Sequence, residues 1–209
     1  MYLMESLKVA PSRGDQRRRL IFRSLHDCIL RKGYVKTTLA DIAQKAGMSA
    51  SHLLYYFKGK EAILEQYFAN VSVIFLDNIV SITSNPADRQ LAMLADFWFK
   101  SEASTKQEIG FMLECFGAAV NDPTLLETKA KFDQRFKTQL AGIIAATAGM
   151  GGDQSDDEIG QLAEITYALM IGLRSSAYFS DELDLDAAHR LFCTTVNGFV
   201  APLKTRLLD

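Results

Sequence analysis

Apolar residues recur along this chain at helical intervals and almost nowhere in alternation, and this periodicity restricts the fold more than any other feature. Ile21, Leu25, Cys28 and Ile29 fall at i, i+4, i+7 and i+8, one stripe of a 3.6-residue helix. Ala188, Leu191, Phe192, Thr195, Val196, Phe199 and Leu203 keep the same rhythm over four turns near the other end. No sustained period-2 run bounded by turn pairs interrupts the pattern, so the sequence predicts an all-α protein of about nine helices. At 209 residues the chain is long enough to bury a substantial core.

Start and stop chemistry divides the pattern. A first helix over about 15–32 stops at Gly33. Thr38 with Asp41 three residues on forms a capping box with the shorter acid, opening a helix whose apolar face is Leu39, Ile42, Ala43 and Ala46 and which Gly47 closes in the left-handed conformation. A short third helix follows at about 50–56. Longer helices are expected over about 60–83, 87–104, 107–120, 124–148, 156–179 and 184–206. Asn85-Pro86, Asp122-Pro123 and the Gly149/Gly151/Gly152 cluster mark three of the breaks.

The formal net charge of −2 conceals an asymmetry. Residues 1–60 carry 12 Lys and Arg against 4 Asp and Glu, a balance of +8, whereas the remainder carries 11 against 21, a balance of −10. A basic head on an acidic body implies a polyanionic partner for the head alone. No apolar run approaches the roughly 18 residues of a membrane span and no apolar signal core opens the chain, so a cytoplasmic location without membrane contact is expected. Cys28, Cys115 and Cys193 are too far apart for a zinc site and odd in number, which suits buried free thiols in a reducing compartment.

Within the basic head, "GMSASHLLYYFKGKEAIL" (47–64) combines a turn glycine, small polar residues, two tyrosines and two lysines with Leu53, Leu54 and Phe57. A helix, a glycine turn and a second short helix within about 19 residues make a helix-turn-helix. Leu39, Ile42, Ala43, Met48 and Leu53 would bury the seam, leaving the start of the second helix free for a DNA major groove. Ser49, Ala50, Ser51 and His52 are small or can hydrogen-bond bases and phosphates, while Tyr55, Tyr56 and Lys60 can reach the flanking backbone. A plain helical hairpin with half-buried tyrosines is the competing reading.

The segment from about Arg17 to Phe68 resembles the DNA-binding domain of the tetracycline-repressor (TetR) family of bacterial regulators. "KGYVKTTLADIAQKAGMSASHLLYYFKGKEAIL" carries the likeness, through Gly33-Tyr34, Thr37-Thr38, Asp41-Ile42-Ala43, Ala46-Gly47, Ser49, Leu53, Tyr55, Phe57, Lys58, Lys60 and Glu61. The chain departs from the family pattern at Leu54 and Tyr56, where tyrosine and histidine are usual, and at Ala40, often arginine. Residues 1–14 resemble no motif and are expected to be a mobile tail, while the resemblance implies a DNA-binding domain over 15–60 and a helical ligand-binding and dimerisation domain over 61–209. It also implies Thr38, Ser49, Ser51, Tyr55, Tyr56 and Lys60 as phosphate or base contacts, with Ala50 and His52 nearest the bases.

In the penultimate helix Leu162, Ile165, Leu169, Gly172 and Leu173 form one stripe, and Tyr167, Met170, Ile171 and Tyr178 a second. Helices apolar on two faces need cover from two sides. The resemblance implies that the last two helices form a homodimer interface, with Leu162, Ile165, Leu169, Gly172, Leu173, Leu191, Phe192, Thr195, Val196 and Phe199 as its residues; a monomer core is the alternative. An aromatic and sulfur-rich set, Phe97, Trp98, Phe111, Met112, Cys115, Phe116, Phe132, Phe136, Tyr167, Met170 and Tyr178, suits an adaptable pocket with Glu114, Asn121, Gln139 or Arg174 as orienting groups. A solid core fits the same spacing.

Enzymatic patterns are weak. Gly47-Met48-Ser49-Ala50-Ser51 is no nucleophile elbow. Asp186 and His189 have metal-compatible spacing but no second pair, and Gly149-Met150-Gly151-Gly152 precedes an acidic run, Asp153, Asp156, Asp157 and Glu158, that would repel phosphate. No catalytic residue, metal or cofactor is expected. The sequence thus points to a DNA-binding regulator, and the resemblance implies a repressor that leaves a palindromic operator when a small, largely apolar effector binds. An effector-independent architectural DNA binder, or a ligand-binding or enzymatic helical domain with a non-DNA partner, stands as the alternative.

Overall fold

The computed structural model describes residues 12–150 and 157–206, and its described residues form nine helices and no strand. In chain order these are α1 (Arg13–Lys32), α2 (Leu39–Lys45), α3 (Ala50–Tyr56), α4 (Lys60–Thr83), α5 (Ala87–Phe99), α6 (Lys106–Val120), α7 (Pro123–Ala148), α8 (Asp157–Phe179) and α9 (Leu185–Arg206). The all-α reading is correct. Residues 1–11 of the expected tail and the end of the glycine cluster, from Gly151 to Asp156, lie outside the described residues.

Local chemistry sets the boundaries. Ser12 caps α1 reciprocally with Asp15, so the helix begins two residues earlier than its apolar stripe suggests. Gly33 ends it at φ 79°, and Gly47 closes the α2 turn at φ 64°, both in the region that favours glycine. Asp122 accepts the N–H groups of Thr124 and Leu125 at 2.9 and 3.0 Å ahead of Pro123, which opens α7. One end differs from expectation: α5 stops at Phe99 rather than near 104. There the Ser104 hydroxyl donates to the Trp98 carbonyl at 2.8 Å, and Ser101 and Ser104 pair at 3.0 Å, giving the chain a local alternative to further helix.

The helices pack as two units. Of the described residues the first comprises 12–75 with 110–131, and so takes in chain that the sequence reading assigns to a separate domain after residue 60. In its core Ile21, Leu25 and Ile29 of α1, Ile42 of α2, Leu53 of α3 and Ile63 and Leu64 of α4 are essentially solvent-free, joined by Phe111 and Cys115 of α6. Each large side chain so buried contributes about 1.5–3 kcal/mol of transfer free energy. The second unit comprises 76–109, 132–150 and 157–206 of the described residues. Here α5 and α8 both pack on α9, and Phe99, Phe136, Leu140, Met170 and Phe192 are fully buried.

Candidate nucleic-acid interface and C-terminal core

In the first unit the turn between α1 and α2 is held from several directions. Thr37 donates its hydroxyl to the Gly33 carbonyl at 2.8 Å, and the Tyr34 N–H donates to Glu114 of α6 at 2.8 Å. A Cβ on Gly33 would stand 3.1 Å from that same Glu114 carboxylate, so residue 33 needs glycine for space as well as conformation. Thr38 and Asp41 form the expected capping box, and Lys32 bonds to the Asp41 carboxylate as well. Hydrogen bonds from Lys32 and Thr38 hold the Asp41 carboxyl well below the usual carboxylate range. Burial, with Glu61 and Asp122 nearby, raises the Tyr34 phenol above its ordinary value.

This scaffold presents α3. Leu53 and Phe57 are buried beneath it, anchoring one face. Ser49 caps the helix by accepting the His52 N–H at 3.1 Å, and its hydroxyl pairs with that of Ser51 at 3.0 Å. Ala50, Ser51 and His52 are exposed, Tyr55 is 84% exposed, and Leu54 is 49% exposed. Tyr56 is half-buried, with His52 and Tyr55 packed against its ring at centroid distances of 5.5 and 5.4 Å. Lys60, expected to reach DNA phosphate, instead donates to the Tyr34 carbonyl at 3.0 Å and lies 4.2 Å over its ring. Thr38 is exposed, but its hydroxyl is engaged with Asp41. The ties made by Lys32 and Glu114 have no short-range signature; Glu114 lies 80 residues from the amide it holds.

The candidate pocket residues divide between the units. Phe111 and Cys115 belong to the first unit's core, where Phe111 packs on His26 and Tyr67, and Phe116 of the same helix lies beneath Lys129 at 4.4 Å. Met112 is half-buried there, Asn121 is exposed, and Glu114 serves the turn. The second unit collects the others. Trp98 and Phe136 pack at 5.7 Å, Phe136 meets Phe132 at 5.9 Å and Tyr167 edge-on at 5.8 Å. The Trp98 indole donates to the Met170 carbonyl at 3.1 Å, and Arg174 stacks 4.8 Å over the indole. Burial raises the Tyr167 pKa, as does the hydrogen bond that its hydroxyl donates to Asp133 at 2.6 Å. Phe97, Gln139 and Tyr178 are half-buried, the last edge-on to Phe179 at 4.9 Å.

The expected interface stripe is also sorted. Ile165, Leu191 and Phe199 are 48%, 50% and 39% exposed, Gly172 is exposed, and Leu162, Leu169, Leu173 and Thr195 are half-buried. Phe192 and Val196, by contrast, are 0% and 1% exposed within the chain itself, with Phe192 packed on Phe99 at 5.5 Å, so their side chains are already spent on the subunit's own core. His189, weighed as half of a metal pair, places Nε2 2.9 Å from Asp96 and 3.8 Å from Cys193 Sγ. One ring nitrogen facing both groups cannot relay a proton between them, and burial raises the Cys193 pKa, keeping the thiol protonated. Among the described residues no group of three or more His, Cys, Asp and Glu is arranged around a metal position, and no helix is long and apolar enough to cross a membrane. All three cysteines are free.

A capped two-helix unit on a rigid core, with an exposed short helix in the basic part of the chain, defines a helix-turn-helix DNA-binding regulator. The family profile described as "Bacterial regulatory proteins, tetR family" matches residues 21–67. That described as "BetI-type transcriptional repressor, C-terminal" matches residues 86–201, more than half of the chain. The protein belongs to the TetR family of transcriptional regulators, with a C-terminal region of BetI type. Solved structures share the fold. A Pseudomonas aeruginosa PAO1 protein classed as a transcriptional regulator superposes with a TM-score of 0.79 at 19% identity, over 95% of this chain and 96% of that one. A Saccharomonospora viridis protein in complex with choline gives 0.76 at 20% identity, over 87% and 96%. A TetR transcription regulator from Haloarcula marismortui ATCC 43049 gives 0.76 at 17% identity, over 90% and 97%. No curated protein sequence matches the chain significantly.

Proposed function

We propose that this regulator acts as a homodimeric repressor which occupies a palindromic operator through two copies of α3 and leaves it when a small, largely apolar effector binds the second unit. The observation that carries the reading is the exposed row Ala50, Ser51, His52 and Tyr55, held over buried Leu53 and Phe57 in a segment of charge +8. Small side chains permit close approach to base edges, His52 is the candidate for base discrimination, and Ser49, Ser51, Tyr55 and Tyr56 can serve phosphates. Lys60 acts by fixing the Tyr34 turn as well as by its charge. The exposed apolar groups of α8 and α9, Ile165, Leu191 and Phe199, support a face for a second copy, and a two-fold dimer matches a palindrome.

Release follows from linkage. An effector that binds better when the two reading heads are spaced wrongly for successive major grooves lowers operator affinity by that differential affinity and no more. Helix α4, whose residues belong to both units, is the element through which the displacement would pass. The choline complex of the Saccharomonospora protein supports a small-molecule effector for proteins of this fold. The test is gel retardation with DNA from upstream of the protein's own gene. Retardation at low ionic strength, weakening steeply as salt rises, is expected; no retardation of any such fragment would overturn the proposal.

A further inference from the structure

Arg174 lies on α8 in the second unit and is only 8% exposed. Its guanidinium stacks on Trp98, and Nη2 donates to the Ala103 carbonyl over a long 3.3 Å. Nε is buried without an acceptor, and no carboxylate of the described residues pairs with the side chain. Burial lowers its pKa to about 10, offset in part by the charge of Glu108, so the group remains a cation at neutral pH. A buried cation met only by one long carbonyl hydrogen bond, an indole face and the field of Glu108 is costly to keep, and an anion on Nε would relieve that cost. Two turns earlier on the same buried face, about 12 Å along the helix axis, the Thr166 hydroxyl is also buried without a partner.

Nε, which has no acceptor, and Nη2 share one edge of the guanidinium, the fork that a carboxylate meets with both oxygens. Trp98 lies against the guanidinium, with Phe136 packed on the indole and the Met170 carbonyl taking its N–H, while Tyr167 and Asp133 are already paired with each other. We propose that the second unit binds an amphiphilic monocarboxylate, its carboxylate on the Nε/Nη2 edge of Arg174 and its apolar body against Trp98, Phe136 and Met170. A quaternary ammonium suits this corner poorly, because Arg174 already lies over a Trp98 face and would repel its charge. This inference rests on the effector reading above and specifies the effector's chemical class.

The test is calorimetric titration of the full-length protein with sodium octanoate, octanamide and choline chloride, repeated with R174K and R174M. Octanoate is expected to bind at least about tenfold more tightly than octanamide, the increment of a charge-assisted pair, and choline not to bind. R174M should erase the preference for octanoate without weakening octanamide, and R174K, which keeps the charge but loses the fork, should fall between. R174M should also hold or raise the melting temperature, since an unpaired buried charge is removed; if it fails to fold, R174K carries the test. Binding of choline or octanamide with none of octanoate overturns this inference and leaves the effector reading standing. Binding of none of the three overturns it too, and the effector reading is then judged separately by whether any compound releases the operator.

Discussion

At the scale of single residues, the α3 row and its supports make separable demands. His52 is exposed at the start of the helix with its backbone N–H, not its ring, used in the cap. His52→Ala should therefore leave the melting temperature nearly unchanged and flatten the difference in affinity between the operator and a scrambled duplex, read by fluorescence anisotropy. Lys60→Ala should make the salt slope of binding shallower by about one and also lower stability, because its ammonium holds the Tyr34 carbonyl; a shallower slope with unchanged stability would show that this contact is unimportant. Asp41 gives a pH prediction. Its folded pKa is depressed by Lys32 and Thr38, so its stabilisation is complete above the ordinary carboxylate value of about 4 and is lost as pH falls through and below it. Urea midpoints measured from pH 7 to pH 3 should fall on acidification, and Asp41→Asn should flatten that fall while lowering the midpoint at pH 7.

At the scale of elements, helix limits were largely legible because caps are local. Thr38 with Asp41, Gly33, Gly47 and Pro123 each announce a boundary within three residues of where it falls. The end of α5 was not legible, because nothing in its pattern says that Ser104 will take up the Trp98 carbonyl. Periodicity does not name the partner of a helix face. A stripe shows that a helix face is covered, not by what. Phe192 and Val196 share a rhythm with Leu191 and Phe199 yet fill the chain's own core, and Phe111 and Cys115 share their chemistry with Trp98 yet pack around α1. The division makes a prediction. Phe192→Ala should cost about 3–5 kcal/mol of folding stability as a core truncation, whereas Phe199→Asp should leave the subunit folded and shift sedimentation from dimer to monomer. A stable monomer with Phe199 intact would remove this face from the interface.

In the whole molecule a basic head built for DNA is joined to an acidic helical body, where the proposal puts subunit pairing and ligand sensing. The charge split and the helix-turn-helix were visible in the sequence; the tie from Glu114 to the Tyr34 turn was not, since it joins residues 80 apart. The central claim is that α3 reads DNA in two copies related by symmetry. Hydroxyl-radical footprinting of the full-length protein on the DNA upstream of its gene tests this most directly. Two protected patches are expected on one face of the duplex, spaced by about 10–10.5 base pairs or a multiple of it, both lost together when α3 carries His52→Ala and Tyr55→Ala. Uniform protection without spacing, or a footprint indifferent to those substitutions, would contradict it.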